Sequence, residues 1–113
     1  MARRAATARW IRERFGAASF AALGLPGGDI VDTGLDDLAT GKATAESFAV
    51  SLAAPRLRRE GIPVGATLED PETGLYASLA ATNPDLAHAR YGAYLRRMVS
   101  FADACSTARI DGD

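Results

Sequence analysis

The stretch that decides the fold is NPDLAHARYGAYLRRMVSFADACS, residues 83–106. Asn83 is a good N-cap, Pro84 suits the first position of a helix, and Asp85 favours the positive end of its dipole. At about 100° per residue, the apolar residues that follow form one stripe. They are Ala87, Tyr91, Tyr94, Leu95, Met98, Phe101, Ala102 and Cys105. The spacing predicts a C-terminal helix of roughly 30–35 Å, the diameter of a small domain, against which the remaining chain packs.

Length and composition indicate one globular domain, residues 1–113. Hydrophobic residues make up 48%, charged residues 24%, and the formal net charge is −1, so the chain as a whole is not marked as a binder of nucleic acid or of a membrane. Lys42 is the only lysine and alanine is abundant, a coding bias that favours a bacterial origin. Cys105 is the only cysteine, so a reducing compartment fits best. The N-terminus lacks a signal-peptide pattern, and we expect a cytoplasmic protein.

The first part of the chain carries two helical signals separated by a break. Residues 2–23 are alanine-rich with one apolar stripe, which Gly16 ends or bends. Residues 25–28 contain a proline and two glycines and break the chain. Asp29 then caps a helix to about Thr40. Gly34 lies in its apolar stripe at a cost of roughly 1 kcal/mol in helix propensity, which the close approach of another helix would offset.

A third helical segment begins after Thr44, a good N-cap. Residues 48–54 carry no charge and are apolar on every side, which predicts a buried helix. The alternative is a strand, because the larger apolar residues alternate with small ones at every second position. Pro55 either kinks this helix or starts a new one that runs to Gly61.

Residues 66–79 carry the one β signal. The pairs Asp70-Pro71 and Thr73-Gly74 match a type I turn closed by a glycine in the left-handed region. In the alternative, Asp70 caps a helix that begins at Pro71. We predict the hairpin, and therefore a mainly α fold: a bundle of four to five helices with a long C-terminal helix and one β-hairpin near residues 66–79. The residues predicted to form the core are Phe48, Leu52, Met98 and Phe101.

Residues that carry chemistry are few and scattered. The densest group of carboxylates consists of Asp29, Asp32, Asp36 and Asp37. Oxygen ligands suit Mg²⁺ or Ca²⁺, but without a glycine-punctuated calcium loop or a second acidic cluster we expect a solvated helix face and no bound metal. His88 falls at the edge of the long apolar stripe and Cys105 at its centre. Because no nucleophile motif, phosphate loop or zinc pattern is present, we predict neither an enzyme nor a cofactor.

Arg90, Tyr91 and Tyr94 are the candidates for contact with a ligand or a protein partner. Buried tyrosine hydroxyls need hydrogen-bond partners, so these residues either line a pocket or complete the core at its wet rim. The second interpretation is the commoner one for tyrosines at the edge of an apolar stripe.

Arg56, Arg58 and Arg59 suggest a second possibility. A helix ending in this basic group, then a strand, a turn, a strand and a long helix, resembles the order of elements in winged helix-turn-helix repressors. That resemblance implies phosphate contacts by the three arginines and a wing at the predicted hairpin. Contact with phosphates requires basic side chains, whereas the tip of this wing would carry three acidic ones, Glu69, Asp70 and Glu72.

The leading functional prediction is therefore a small non-catalytic adaptor or regulatory protein that acts by binding another protein or a second copy of itself, as a homodimer. The alternative is a winged-helix-like DNA-binding transcriptional regulator, and contact with nucleic acid is the less favoured of the two. We expect no membrane partner.

Overall fold

The computed structural model describes the backbone of residues 2–112 and the side chains of residues 9–107. Within those residues the chain forms five α-helices and no β-strand. The helices are α1 (Ala2–Phe15), α2 (Gly28–Ala39), α3 (Ala45–Arg59), α4 (Pro71–Thr82) and α5 (Ala87–Gly112), with one 3₁₀ turn (Pro84–Leu86) directly before α5. The prediction of a mainly α fold with a long C-terminal helix is confirmed.

The predicted β-hairpin is wrong, because residues 71–82 form α4. Its start is the one named in the alternative: Asp70 is the N-cap and Pro71 the first helical residue. At that position a backbone N–H has no partner within the helix, so proline, which lacks this N–H, loses no hydrogen bond there. Leu75 and Leu79, four residues apart, are both buried. Gly74 lies so close to α3 that a β-carbon there would stand 2.2 Å from Phe48 Cε1. Gly74 therefore lets α4 approach α3 closely and does not close a turn.

Helices α2 and α3 pack closely through Gly34, as the sequence predicts. A β-carbon at residue 34 would stand 2.3 Å from Val50 Cγ2 and 2.6 Å from the carbonyl oxygen of Glu46. The start of α3 is also as predicted. Thr44 Oγ1 accepts from the Ser47 amide at 3.1 Å, and Ser47 Oγ accepts in return from the Thr44 amide at 2.7 Å. Each side chain thus satisfies a backbone donor that a helix leaves unpaired.

Helix α1 ends before Gly16, the residue predicted to end or bend it. Phe15 is its last residue and Gly16 follows with φ of 73°. Residues 17–24 form bends and turns, so the helical pattern predicted over residues 2–23 does not continue beyond Gly16. Phe20, within these turns, is fully buried and packs edge-on against Phe101 with the ring centroids 5.0 Å apart. Asp29 is in the first turn of α2 and does not cap it, because Gly27 is the N-cap.

Phe101 and Met98 lie in the core as predicted, at 0% and 4% exposure. Phe48 and Leu52 are only partly buried and pack against the edge of that core. Helix α3 runs through Pro55, which is exposed. The strand alternative for residues 48–54 is therefore wrong, and this segment is buried on one side but open on the other.

Candidate functional site

The three residues predicted as a ligand or partner contact do not form one site. Arg90 and Tyr94 face a cleft of about 520 Å³ between the first turn of α3 and the end of α4. The Tyr94 hydroxyl donates to Glu46 Oε2 at 3.3 Å. Tyr91 instead packs against Tyr76, with ring centroids 5.7 Å apart, in a separate depression of about 440 Å³.

The environment of Tyr94 keeps its hydroxyl protonated. Partial burial raises the pKa of Tyr94 above its usual value, and the adjacent Glu46 carboxylate raises that pKa further through its charge and its hydrogen bond. The phenol is therefore a hydrogen-bond donor to Glu46 that joins α5 to α3. Tyr94 has the role of a tyrosine that completes the core at its rim.

Two of the three predicted nucleic-acid contacts form hydrogen bonds with other parts of their own chain. Arg56 Nη2 donates to Asp103 Oδ1 at 2.7 Å and so links α3 to α5. Arg58 Nη2 donates to the Gly65 carbonyl at 2.7 Å and fastens the loop after α3. Arg59 is exposed. The wing that the DNA-binding alternative places beside these arginines does not exist in residues 2–112, where the corresponding segment is α4.

The carboxylates of α2 bind different partners within the chain and do not converge on one point. Asp32 accepts hydrogen bonds from the backbone amides of Phe20 and Ala21 at 3.0 and 2.9 Å, and so holds the turns before α2. Asp29 forms an ion pair with Arg97 at 2.9 Å. Asp37 accepts from Thr44 Oγ1 at 2.7 Å, next to the start of α3. Among the described side chains there is no group of three or more potential ligands that could hold a metal ion.

Cys105 is a core residue, as its place at the centre of the stripe predicts. Only 3% of it is exposed. Burial, and then the nearby charge of Glu60, raise the pKa of the Cys105 thiol to about 11. At neutral pH the sulfur is therefore a buried thiol and not a thiolate, the form that reacts as a nucleophile. His88 is exposed on α5.

One further depression is not identified by the sequence alone. It is an apolar groove of about 330 Å³ between α3 and α5. The α3–α5 groove is lined by Leu52, Ala53, Arg56, Leu95, Met98, Val99 and Ala102. Val99 is 56% exposed, the largest value among the three exposed large hydrophobic residues of the described part of the chain.

A signal for this groove exists in the sequence of α5. Val99 and Leu95 widen the apolar stripe beyond the arc that the core needs, since Met98, Phe101 and Cys105 already cover that arc. What the sequence does not show is that α3 leaves this extra width uncovered.

Over the described residues, no helix has the length and apolar character needed to cross a membrane. No protein-family model matches this chain, and no match was found among the curated proteins or the solved structures.

Proposed function

We propose that this chain is a non-catalytic protein-interaction module, an adaptor or regulatory protein of the cytoplasm, and that its binding face is the α3–α5 groove. The observation that carries the proposal is the exposure of Val99 in continuity with Leu95 and Leu52. Single exposed hydrophobic residues are ordinary, but continuous apolar strips with a polar border are typical of protein contacts.

The composition of the groove supports this function. Its floor is formed by apolar side chains of both helices, and the charged residue of its lining, Arg56, forms an ion pair with the exposed Asp103 of α5. An apolar centre with a charged border is the usual anatomy of a protein interface. An apolar groove between two helices can receive the apolar face of a further helix.

The DNA-binding alternative has less support from the same residues. Arg56 and Arg58 already donate to groups of their own chain. Arg59 remains as an exposed cation, beside Glu60 in sequence. Strong binding to phosphates requires several cations that are available together.

A photocrosslinking experiment tests the proposal. A photoreactive amino acid replaces Val99 in the groove or, as the matched control, the exposed Thr33 on α2, and each variant is irradiated in cells that make the native protein. We expect adducts of defined mass from residue 99 and none from residue 33. Equal yields of adducts at the two positions, or none at residue 99, would contradict the proposed binding face.

A further inference from the structure

The exposed face of α5 complements itself. Taking Val99 as the centre of that face, Leu95 and Ala102 lie roughly 40–60° to one side, and Asp103 and Arg96 lie roughly 40–60° to the other, at about 100° per residue. The first side adjoins the α3–α5 groove, whose lining is apolar apart from Arg56; on this side Leu95 is half-buried and Ala102 is buried. The second side carries one positive and one negative charge.

We infer that the occupant of the groove is a second copy of this chain, bound through an antiparallel contact of the two α5 helices with a two-fold axis at Val99. This inference rests on the proposed function and names its partner. In a two-fold contact the same surface is used twice, so each feature of the face must match the feature that the symmetry brings opposite to it.

Antiparallel packing produces this match. When two copies of α5 run in opposite directions about this axis, the apolar side of one helix lies against the apolar side of the other, and the charged side lies against the charged side. Arg96 precedes the centre by three residues and Asp103 follows it by four, so the axis brings Arg96 within about one residue rise, ~1.5 Å, of the level of Asp103 in the second copy. On the other side, Leu95 comes to the level of Ala102 of the second copy; Ala102 is buried by its own chain at 1% exposure, so Leu95 and Val99 supply the exposed apolar surface there. Each contact occurs twice.

Parallel packing produces a mismatch, because opposite sides would then meet. Arg96 would face Leu95 of the second copy, and a charge would be brought against apolar surface without a partner. The order of residues along α5 thus selects the antiparallel arrangement.

The monomer leaves both charged groups accessible. Asp103 is 63% exposed, and its Oδ1 accepts from Arg56, which leaves Oδ2 for a second donor. Arg96 is exposed and makes no ion pair within the described part of the chain. Its guanidinium lies back along α5, with Nη1 3.1 Å from where a β-carbon at Gly92 would stand.

Residues near the ends of the contact permit close approach. Gly92 lies seven residues before the centre and Ser106 seven residues after it, so the axis brings these two small residues opposite each other. Small residues let the backbones of two helices approach once the Arg96 side chain, which lies beside Gly92 in the monomer, turns toward Asp103 of the second copy. The apolar side of the second copy then covers Leu52 and Ala53 on α3, which the monomer leaves partly open.

Sedimentation velocity over a wide concentration range tests this inference with charge-reversal variants. We expect wild type to show a reversible monomer–dimer equilibrium. Arg96→Glu and Asp103→Lys should each weaken it by roughly tenfold or more, because each replaces two attractive pairs with two repulsive ones. An equimolar mixture of the two variants should restore dimers. In the mixed pair, the carboxylate introduced at position 96 of one copy faces the ammonium introduced at position 103 of the other, and the remaining native Arg96 faces the remaining native Asp103.

Controls separate a lost interface from a lost fold. Thermal unfolding is measured for every variant at a concentration where wild type is a monomer, because dimerisation itself would raise the melting temperature. Arg59→Glu serves as the matched charge reversal outside the contact, with dimerisation expected to equal that of wild type. Because Asp103→Lys also removes the bond to Arg56, Val99→Glu is a second variant whose change lies at an exposed residue; it should remove dimers while the melting temperature stays near that of wild type.

Two results would overturn the inference. One is a wild-type chain that remains monomeric at every concentration. The other is a dimer that Arg96→Glu and Val99→Glu leave unchanged, which would place the contact on another face. A monomeric wild type that still gives a crosslink from residue 99 to a different protein would refute the second copy and retain the binding face. Absence of any adduct at residue 99 would instead refute the proposed function itself.

Discussion

Replacing Gly34 with alanine tests the crossing of α2 and α3, on which the bundle depends. The added methyl group would stand 2.3 Å from Val50 Cγ2 and 2.6 Å from the Glu46 carbonyl oxygen. The valine side chain can rotate, but the carbonyl belongs to the backbone of α3. To restore a carbon–oxygen separation of about 3.3 Å, the two helices must move apart by roughly 0.7 Å.

The energetic consequence is the difference between two opposing effects. Alanine has a better helix propensity than glycine by about 1 kcal/mol. Overpacking of a closely packed core costs about 1–3 kcal/mol, and the backbone clash puts this substitution at the upper end of that range. We therefore expect Gly34→Ala to lower the free energy of unfolding by about 2 kcal/mol, which at about 4 °C per kcal/mol is a fall of about 8 °C in melting temperature.

Gly92→Ala is the matched control, because it makes the same change inside another helix. A β-carbon at residue 92 would approach only the flexible end of Arg96, at 3.1 Å. At this position the better helix propensity of alanine is not opposed by a backbone clash, so the free energy of unfolding should rise by up to about 1 kcal/mol. The assay is urea unfolding followed by circular dichroism, at protein concentrations where wild type sediments as a monomer.

A third variant identifies the clashing atom. The cost of Gly34→Ala should be smaller in a Val50→Ala background, since the methyl at 2.3 Å is then absent, but the carbonyl of Glu46 should keep it above zero. If Gly34→Ala were as stable as wild type, or more so, the helices would not cross at this glycine and the packing described for α2 and α3 would be refuted.

Other expectations follow from single side chains. Phe101→Ala should lower the free energy of unfolding by about 3–5 kcal/mol, and an unchanged melting temperature would show that this ring is not buried. Cys105 should react with a disulfide reagent at pH 8 about 100-fold or more slower than in denatured protein, because its raised pKa reduces the thiolate fraction by about that factor; equal rates would show an accessible thiolate. The double variant Arg58→Glu with Arg59→Glu should keep its fold and oligomeric state, and wild type should bind duplex DNA at most weakly at physiological salt; submicromolar, salt-sensitive binding abolished by the double variant would instead support the DNA-binding alternative. Asp32→Ala should cost about 1.5–3 kcal/mol, because two backbone amides lose a charged acceptor; no loss of stability would show that these bonds do not hold the turns.

Local sequence signals are sufficient to predict a helix end that carries a capping residue and a helix face that carries a clear apolar stripe. Residue type and spacing alone assign Thr44 to a cap and Gly34 to a helix crossing, and both have those roles. The stripe of α5 likewise places Phe101 and Cys105 in the core, where both lie. Such features depend on neighbours within one or two turns, so the sequence contains the information that determines them.

The errors arise where two structures share one local signal. Asp70-Pro71 opens a turn or a helix equally well, since proline suits the second position of a turn and the first of a helix. Packing decides between them: Leu75 and Leu79 both reach the core on one face of α4, and Gly74 admits the ring of Phe48. These contacts join residues distant in sequence, and no local pattern reveals them.

The same reason explains why the roles of several polar residues could not be predicted. Asp32 holds amides 11 and 12 residues earlier in the chain, and Arg56 reaches Asp103 across 47 residues. The α3–α5 groove depends on the spacing between two helices that are far apart in sequence. The width of the apolar stripe at Val99 is visible in the sequence, but which part of it α3 covers is not.

A dilution series of amide nitrogen–proton correlation spectra tests most directly the claim that the chain binds a second copy of itself through the α3–α5 groove. Between dilute and concentrated samples, we predict that the shifts move for residues 92–106 and for Leu52 and Ala53, with the largest change near Val99, while α2 keeps its positions. Spectra that do not change with concentration, or changes confined to α2 and the far side of α4, would contradict that account.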